Sequence, residues 1–176
     1  MIGASRVLLF TGDGKGKTTA ALGMAVRAAG HGMKVLIVQF LKAAGDTGEL
    51  EALRRVPGVA IRQMGRGFVP LREDPSFGEH QAAAEEALRF ASDALASGEY
   101  DQVILDEICI AVAKGVLSGE KVVAALGGKA RGNACVVMTG RDATPDLIAL
   151  ADTVTEMRCR KHALGKGRTA EKGVEF

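Results

Sequence analysis

Apolar residues in this chain fall in short, nearly unbroken runs instead of alternating with polar ones. VLLFT begins at Val7, VLIVQF at Val35, VAIRQM at Val59, VILDE at Val103, CVVMTG at Cys135 and TVTEM at Thr153. The better of these runs, β-branched and nearly continuous, have the make-up of strands covered on both faces. Between them lie stretches in which Ala, Leu, Met and Val recur at helical spacing. Residues 17–29 form the first and meet Gly30 where a helix takes a left-handed cap. Residues 79–96 form the second, ending at Gly98, and shorter helices fit 108–117, 120–126 and 145–150. Strand and helix in steady alternation predict an α/β fold with a mostly parallel sheet of about six strands flanked by helices. Two stretches fit neither pattern: 43–48, and 65–78, which reads GRGFVPLREDPSFG. With the basic tail KHALGKGRTAEKGVEF they are the expected binding loops.

Composition narrows the class without naming a chemistry. A chain of 176 residues, 47% hydrophobic and 25% charged, is the size of one domain, here 1–176, with no internal repeat or linker. Its 23 basic and 21 acidic residues leave a formal charge of +2, too near balance for nucleic acid or an anionic membrane as main partner. VLLF is too short for a signal-peptide core, and no segment approaches membrane-span length, so a soluble cytoplasmic protein is expected. Cys109, Cys135 and Cys159 lack C-x-x-C or His-x-Cys spacing, which argues against a disulfide framework or a zinc site; buried thiols are expected.

The chemistry enters with TGDGKGKTTAA, residues 11–21, set between the first strand and the first helix. Gly16, Lys17 and Thr18 meet the second half of the phosphate-loop pattern, while Thr11 stands where its first glycine belongs. Gly12, Gly14 and Gly16 are expected to adopt positive φ and turn successive N–H groups inward, making an anion nest at a helix start. Lys17 adds a cation for a triphosphate, and the Thr18 hydroxyl a ligand for its magnesium ion, or manganese. The plain alternative is a flexible glycine turn. A dinucleotide fingerprint fits less well, because Lys17 stands where its third glycine would be. VILDE places Asp106 and Glu107 at a strand end, the edge where open parallel sheets bind ligands; one carboxylate can reach the metal while the other orients its neighbours. Thr139 and Arg141 end a second strand there, either facing the same edge or forming a polar turn.

These residues, together with TGDGKGKTTAALGMAVRAAGHGMKVLIVQFLK, VVMTGRDATPDLIALADTVTEMR, KHAL and GVEF, resemble the P-loop corrinoid adenosyltransferase family of cobalamin synthesis, from Val7 almost to Phe176. The resemblance implies a RecA-like fold, a homodimer, and transfer of the 5′-deoxyadenosyl group of ATP to the Co(I) of a corrinoid reduced by an external, flavoprotein-type reductant. Triphosphate is then the leaving group and cobalt the nucleophile, so the protein aligns and stabilises charge. It implies Lys17, Thr18 and Glu107 as catalytic residues and Thr18 and Glu107 as magnesium ligands, with Asp106 beside them. Gly12, Asp13, Gly14, Lys15, Gly16, Lys17, Thr18 and Thr19 would form the nucleotide site, with Arg141 near it. Members often read Gly-Phe-Thr-Trp where this chain has Gly67, Phe68, Val69 and Pro70. Phe68 would lie against the corrinoid, or else pack in the core. Many members also carry an amino-terminal helical extension that helps close the site, whereas this chain starts just before its first strand. Lys161 and His162 match a Lys-His pair of the family without an assigned role, and a solvated basic tail is the plainer account of them. Two rivals share the loop: a small-molecule kinase or ATPase, which releases ADP, and a non-catalytic corrinoid or nucleotide carrier.

Overall fold

The structure, a computed structural model, describes residues 5–43, 45, 47–162, 167 and 169–174. Residues 44 and 46 of the first expected loop, and 163–166, 168, 175 and 176 of the basic tail, lie outside the described residues. Six strands, β1 (Val7–Thr11), β2 (Val35–Gln39), β3 (Val59–Gln63), β4 (Gln102–Asp106), β5 (Cys135–Thr139) and β6 (Thr153–Glu156), form one sheet in the order β3-β2-β4-β5-β1-β6. Every pairing is parallel.

The unbroken apolar runs are explained by burial on both faces. Within β2, Val35 and Ile37 enter one core while Leu36 and Val38 enter the other. Helix α1 (Lys17–Gly30) covers the first face with Ala21, Ala25 and Ala28, small residues at helical spacing that let it lie close to the sheet, and α2 (Gly48–Leu53) adds Leu50 and Leu53. Helices α3 (Phe77–Ser97), α4 (Ile108–Ala113), α5 (Gly119–Leu126) and α6 (Pro145–Leu150) supply residues to the opposite core. Strand β6, at the edge, is exposed along its length.

Several expectations need correction. Gly30 lies inside α1, and the left-handed residue that ends the turn is Gly32, at φ 74°. The helix expected over 108–117 stops at Ala113: Gly115 turns left-handed, and the N–H groups of Val116 and Leu117 bond back to the Ala111 carbonyl. Helix α2 falls where no element was expected, because its six residues, GELEAL, carry only Leu50 and Leu53 inward. Phe77 and Gly78 open α3 instead of closing the loop. Of the cysteines, Cys109 is buried, but Cys135 and Cys159 are only partly so; all three are free thiols.

Because the sheet is all parallel, its strands end at Thr11, Gln39, Gln63, Asp106, Thr139 and Glu156 along one edge. The polar residues that break each apolar run therefore converge.

Candidate active site

The turn between β1 and α1 is the phosphate loop. Gly12 and Gly16 adopt φ of 95° and 116°, which glycine alone takes without strain. Gly14 does not share that conformation, contrary to expectation; it must be glycine because a Cβ would come 2.7 Å from the Met157 carbonyl oxygen. That carbonyl accepts the Gly14 N–H at 2.7 Å, and the Met157 N–H bonds the Thr11 carbonyl at 2.8 Å. The chain leaving β6 thus braces the loop from outside. Asp13 completes the brace: its Oδ1 accepts the Cys159 N–H at 3.0 Å, a bond that holds the carboxyl below its ordinary range. An acid inside an anion cradle is explained by that partner.

Lys17 is buried, and its Nζ donates to the Gly12 and Gly14 carbonyls at 2.7 Å each. Burial pulls its pKa below the ordinary lysine value, while the charge of Glu107 opposes that. At the start of α1, the Thr18 hydroxyl donates to Asp106 Oδ1 at 2.8 Å. Asp106, 1% exposed, also accepts from the Thr139 hydroxyl at 2.8 Å and from Gln39 Nε2 at 3.1 Å. The Thr139 oxygen in turn accepts the Glu107 N–H at 2.9 Å. Strand β5 stands between β1 and β4, so this one hydroxyl fixes both acids. Thr139 is buried, and Arg141 reaches the cleft beyond it, so this strand end is more than a polar turn.

Glu107 is held at φ 63° and ψ 20°, a left-handed conformation uncommon for a residue with a side chain, and heads α4. Burial first, then the charge of Asp106, pushes its carboxyl above the ordinary glutamate range. The next residue but one, Cys109, has its thiol pushed up to about 12 by burial and supplies no thiolate nucleophile.

These groups line a cleft of about 720 Å³, a volume suited to a nucleotide-sized ligand. Its floor is Asp13, Gly14, Lys15, Gly16, Lys17, Thr18 and Thr19. Lys42, paired with Glu49, forms one wall, Glu107 and Arg141 another, and His162 with Thr169 and Val174 a third. Gly12 and Asp106 lie behind this surface, each bonded to a residue on it. Phe68 stands apart, 90% exposed, so core packing is excluded for it. What the sequence reading missed was Gln39, the bracing role of Met157, and the Lys42–Glu49 wall. The signal for Gln39 was present, a lone polar residue closing the apolar run VLIVQF.

Thr18, Asp106 and Glu107 offer hard oxygen donors, while among the described residues no group of three His, Cys, Asp or Glu that could hold a metal is found, here or elsewhere. That donor set fits magnesium, which takes one or two protein oxygens and fills its shell with phosphate and water.

A parallel sheet with a braced phosphate loop on its first turn, and an acid pair at the end of β4, defines a protein of the P-loop α/β class. The chain matches the family model of ATP:corrinoid adenosyltransferase BtuR/CobO/CobP over residues 4–176, and it belongs to that family. It is 44% identical to a corrinoid adenosyltransferase of Pseudomonas aeruginosa over 171 residues, 97% of this chain and 83% of that one. A corrinoid adenosyltransferase of Escherichia coli K12 is 41% identical over 97% of this chain and 85% of its own. The corrinoid adenosyltransferase CobA of Salmonella typhimurium is 39% identical with the same coverage.

Proposed function

We propose that this enzyme transfers the 5′-deoxyadenosyl group of ATP to the Co(I) centre of a reduced corrinoid and releases triphosphate. The electron pair of Co(I) attacks C5′ of the ribose, the C5′–oxygen bond breaks, and its electrons leave on the triphosphate; cobalt ends as Co(III), bonded to carbon. No protein nucleophile is needed, and the cleft's cysteine neighbour is an inert buried thiol. The observation that carries the reading is the end-to-end family match joined to a phosphate loop whose lysine, threonine and acid pair converge on one cleft.

In this reading Lys17 and the loop N–H groups other than that of Gly14, which is held by Met157, take the growing negative charge on the leaving group. Lys17 exchanges its two carbonyl partners for phosphate oxygens. Asp106 keeps Thr18 aimed at the cleft, and Glu107 projects from its left-handed turn towards the same space. A magnesium ion held by Thr18 and Glu107, with Asp106 behind them, would neutralise charge on the triphosphate. Phe68, with Leu71 78% exposed beside it, presents an apolar face to the corrinoid at the same edge of the sheet. The family resemblance supports a cytoplasmic homodimer supplied with Co(I) by an external flavoprotein-type reductant; among the described residues no helix is long and apolar enough to cross a membrane.

The test is to mix protein, magnesium ATP and chemically reduced cobalamin and follow both products. A light-sensitive cobalt-carbon compound and intact triphosphate should appear in equal amounts, the latter by phosphorus NMR. ADP and orthophosphate formed steadily without corrinoid would overturn the reading in favour of an ATPase.

A further inference from the structure

The Asp106 oxygens accept every side-chain bond made to them, and this sets the direction of the bonds that lead away from it. Gln39 is wholly buried and donates its Nε2–H to Asp106 Oδ2 at 3.1 Å. With the amide turned that way, Gln39 Oε1 faces β3, where it accepts from Gln63 Nε2 at 3.1 Å. Gln63 then has its own Oε1 to offer, and this accepts the backbone N–H of Gly45 at 3.1 Å. The strand register places Gln39 beside both Asp106 and Gln63, so the three side chains sit abreast at the sheet edge. The relay runs in one sense only: reversing either amide sets donor against donor or oxygen against oxygen, leaving buried polar groups unpaired.

The relay ends in the segment that leaves β2, and that segment builds a wall of the cleft. Lys42, Gly48 and Glu49 line it, facing the phosphate loop. The segment is also clasped to the chain leaving β3. Gly65 and Gly67 donate their N–H groups to the Lys42 and Leu41 carbonyls, at 3.0 and 2.7 Å, and a Cβ on Gly65 would overlap the Leu41 backbone. Neither glutamine itself lines the cleft.

We propose that Gln39 and Gln63 are positioning residues: they tie Gly45, which lies in the chain between the cleft-lining Lys42 and Glu49, to Asp106, so that one carboxylate sets both the Thr18 hydroxyl and this part of the cleft lining. The nucleotide part of this proposal rests on the reading that the cleft takes ATP. It also gives a task to the glutamine of VLIVQF, which the chemistry of transfer leaves unused.

Amide exchange of Gly45, measured by NMR on the nucleotide-free protein, tests the relay itself, and KM for ATP tests its consequence. Gln63→Leu removes the acceptor of Gly45 directly. Gln39→Met keeps length and burial, does not touch the loop, and cannot donate or accept in the relay. Gln63→Glu, at a half-buried position, keeps an acceptor for Gly45 and loses the donor to Gln39; it decides the matter where Gln39→Met does not fold. All three should speed Gly45 exchange roughly 3- to 10-fold. KM for ATP should rise by a similar factor, with kcat of Gln63→Leu within about twofold of wild type. Unchanged Gly45 exchange in Gln39→Met or Gln63→Glu, when Gln63→Leu accelerates it, would reduce the relay to a local contact and overturn the proposal. So would faster exchange with an unchanged KM. A wild-type protein that leaves ATP untouched sinks the functional reading, while the exchange pattern still decides whether the relay exists.

Discussion

Lys17 is buried in its loop with two carbonyl partners, whereas Phe68, at the same edge of the sheet, is 90% exposed. The two loops are nevertheless both held firmly. The phosphate loop is fixed by its brace to Met157 and Cys159. The Phe68 loop is fixed by its backbone and base: Gly67 bonds the Leu41 carbonyl, Val69 is buried, Arg66 pairs with Glu79, and the Asp74 carboxylate accepts from Ser76. Stabilising a polyanion calls for fixed dipoles kept from water, so that region turns its chemistry inward. A broad apolar partner calls for an accessible surface on a pre-formed support, so the other turns Phe68 and Leu71 outward.

If this division is right, damage to the inward region costs most. Lys17→Ala and Thr18→Ala should each lower kcat/KM about 100- to 1000-fold, on the order of 3–4 kcal/mol, with cooperative melting retained. Near-wild-type adenosylation by Lys17→Ala would remove the loop from the role of triphosphate cradle. Glu107→Gln should come next, shifting the magnesium requirement to much higher concentration. An unchanged metal titration would transfer that role to Asp106.

On the outward side, Phe68→Ala should raise KM for the corrinoid roughly tenfold, and Leu71→Ala less, leaving KM for ATP and the melting temperature where they were. A lower melting temperature, or a change in KM for ATP alone, would mean that the exposed pair serves something other than corrinoid docking. The smallest effect is thermodynamic. Burial and Asp106 raise the Glu107 carboxyl, so the folded chain holds that proton more tightly than the unfolded chain. The associated stability is present below the ordinary glutamate value and is lost as pH rises through the raised one. Near neutrality the ionised group is therefore a cost, which Glu107→Gln relieves. Melting of the nucleotide-free variant should occur a few degrees higher at neutral pH, and the gain should vanish in acid. A gain that grew as the pH fell would reverse the sign assigned to Glu107.

The inner strands were legible because burial on both faces writes itself as unbroken apolar runs, whereas the more exposed edge strands β3 and β6 were legible through their β-branched residues; β1 to β6 fall on all six expected runs. The phosphate loop was legible because its spacing is a backbone requirement. What could not be read locally were relations between strands. That Thr139 serves both Asp106 and Glu107, and that Gln39 meets Asp106 on one side and Gln63 on the other, depends on the order β3-β2-β4-β5-β1, which no window of sequence contains. Gly14 shows the same limit at one residue: its glycine is required by Met157, far along the chain, rather than by its own φ. Phe68 illustrates the converse, since an aromatic in an irregular loop carries no local mark of being inside or outside.

That strand order also bears on how the chain is made. Strand β1 has only β5 and β6 as neighbours, so during synthesis its apolar VLLFT run has no partner until residues 135–156 have left the ribosome. Strands β2, β3 and β4 pair among themselves long before. The growing polypeptide therefore exposes an unpaired hydrophobic strand until β5 and β6 have been made, the kind of segment that chaperones engage and that aggregates when they are scarce. The phosphate loop, which precedes β2 to β6 in the chain, gains its brace only when Met157 and Cys159 arrive. The loop and the brace that holds it are thus 146 residues apart in the chain, and the cleft is complete only once both have been made.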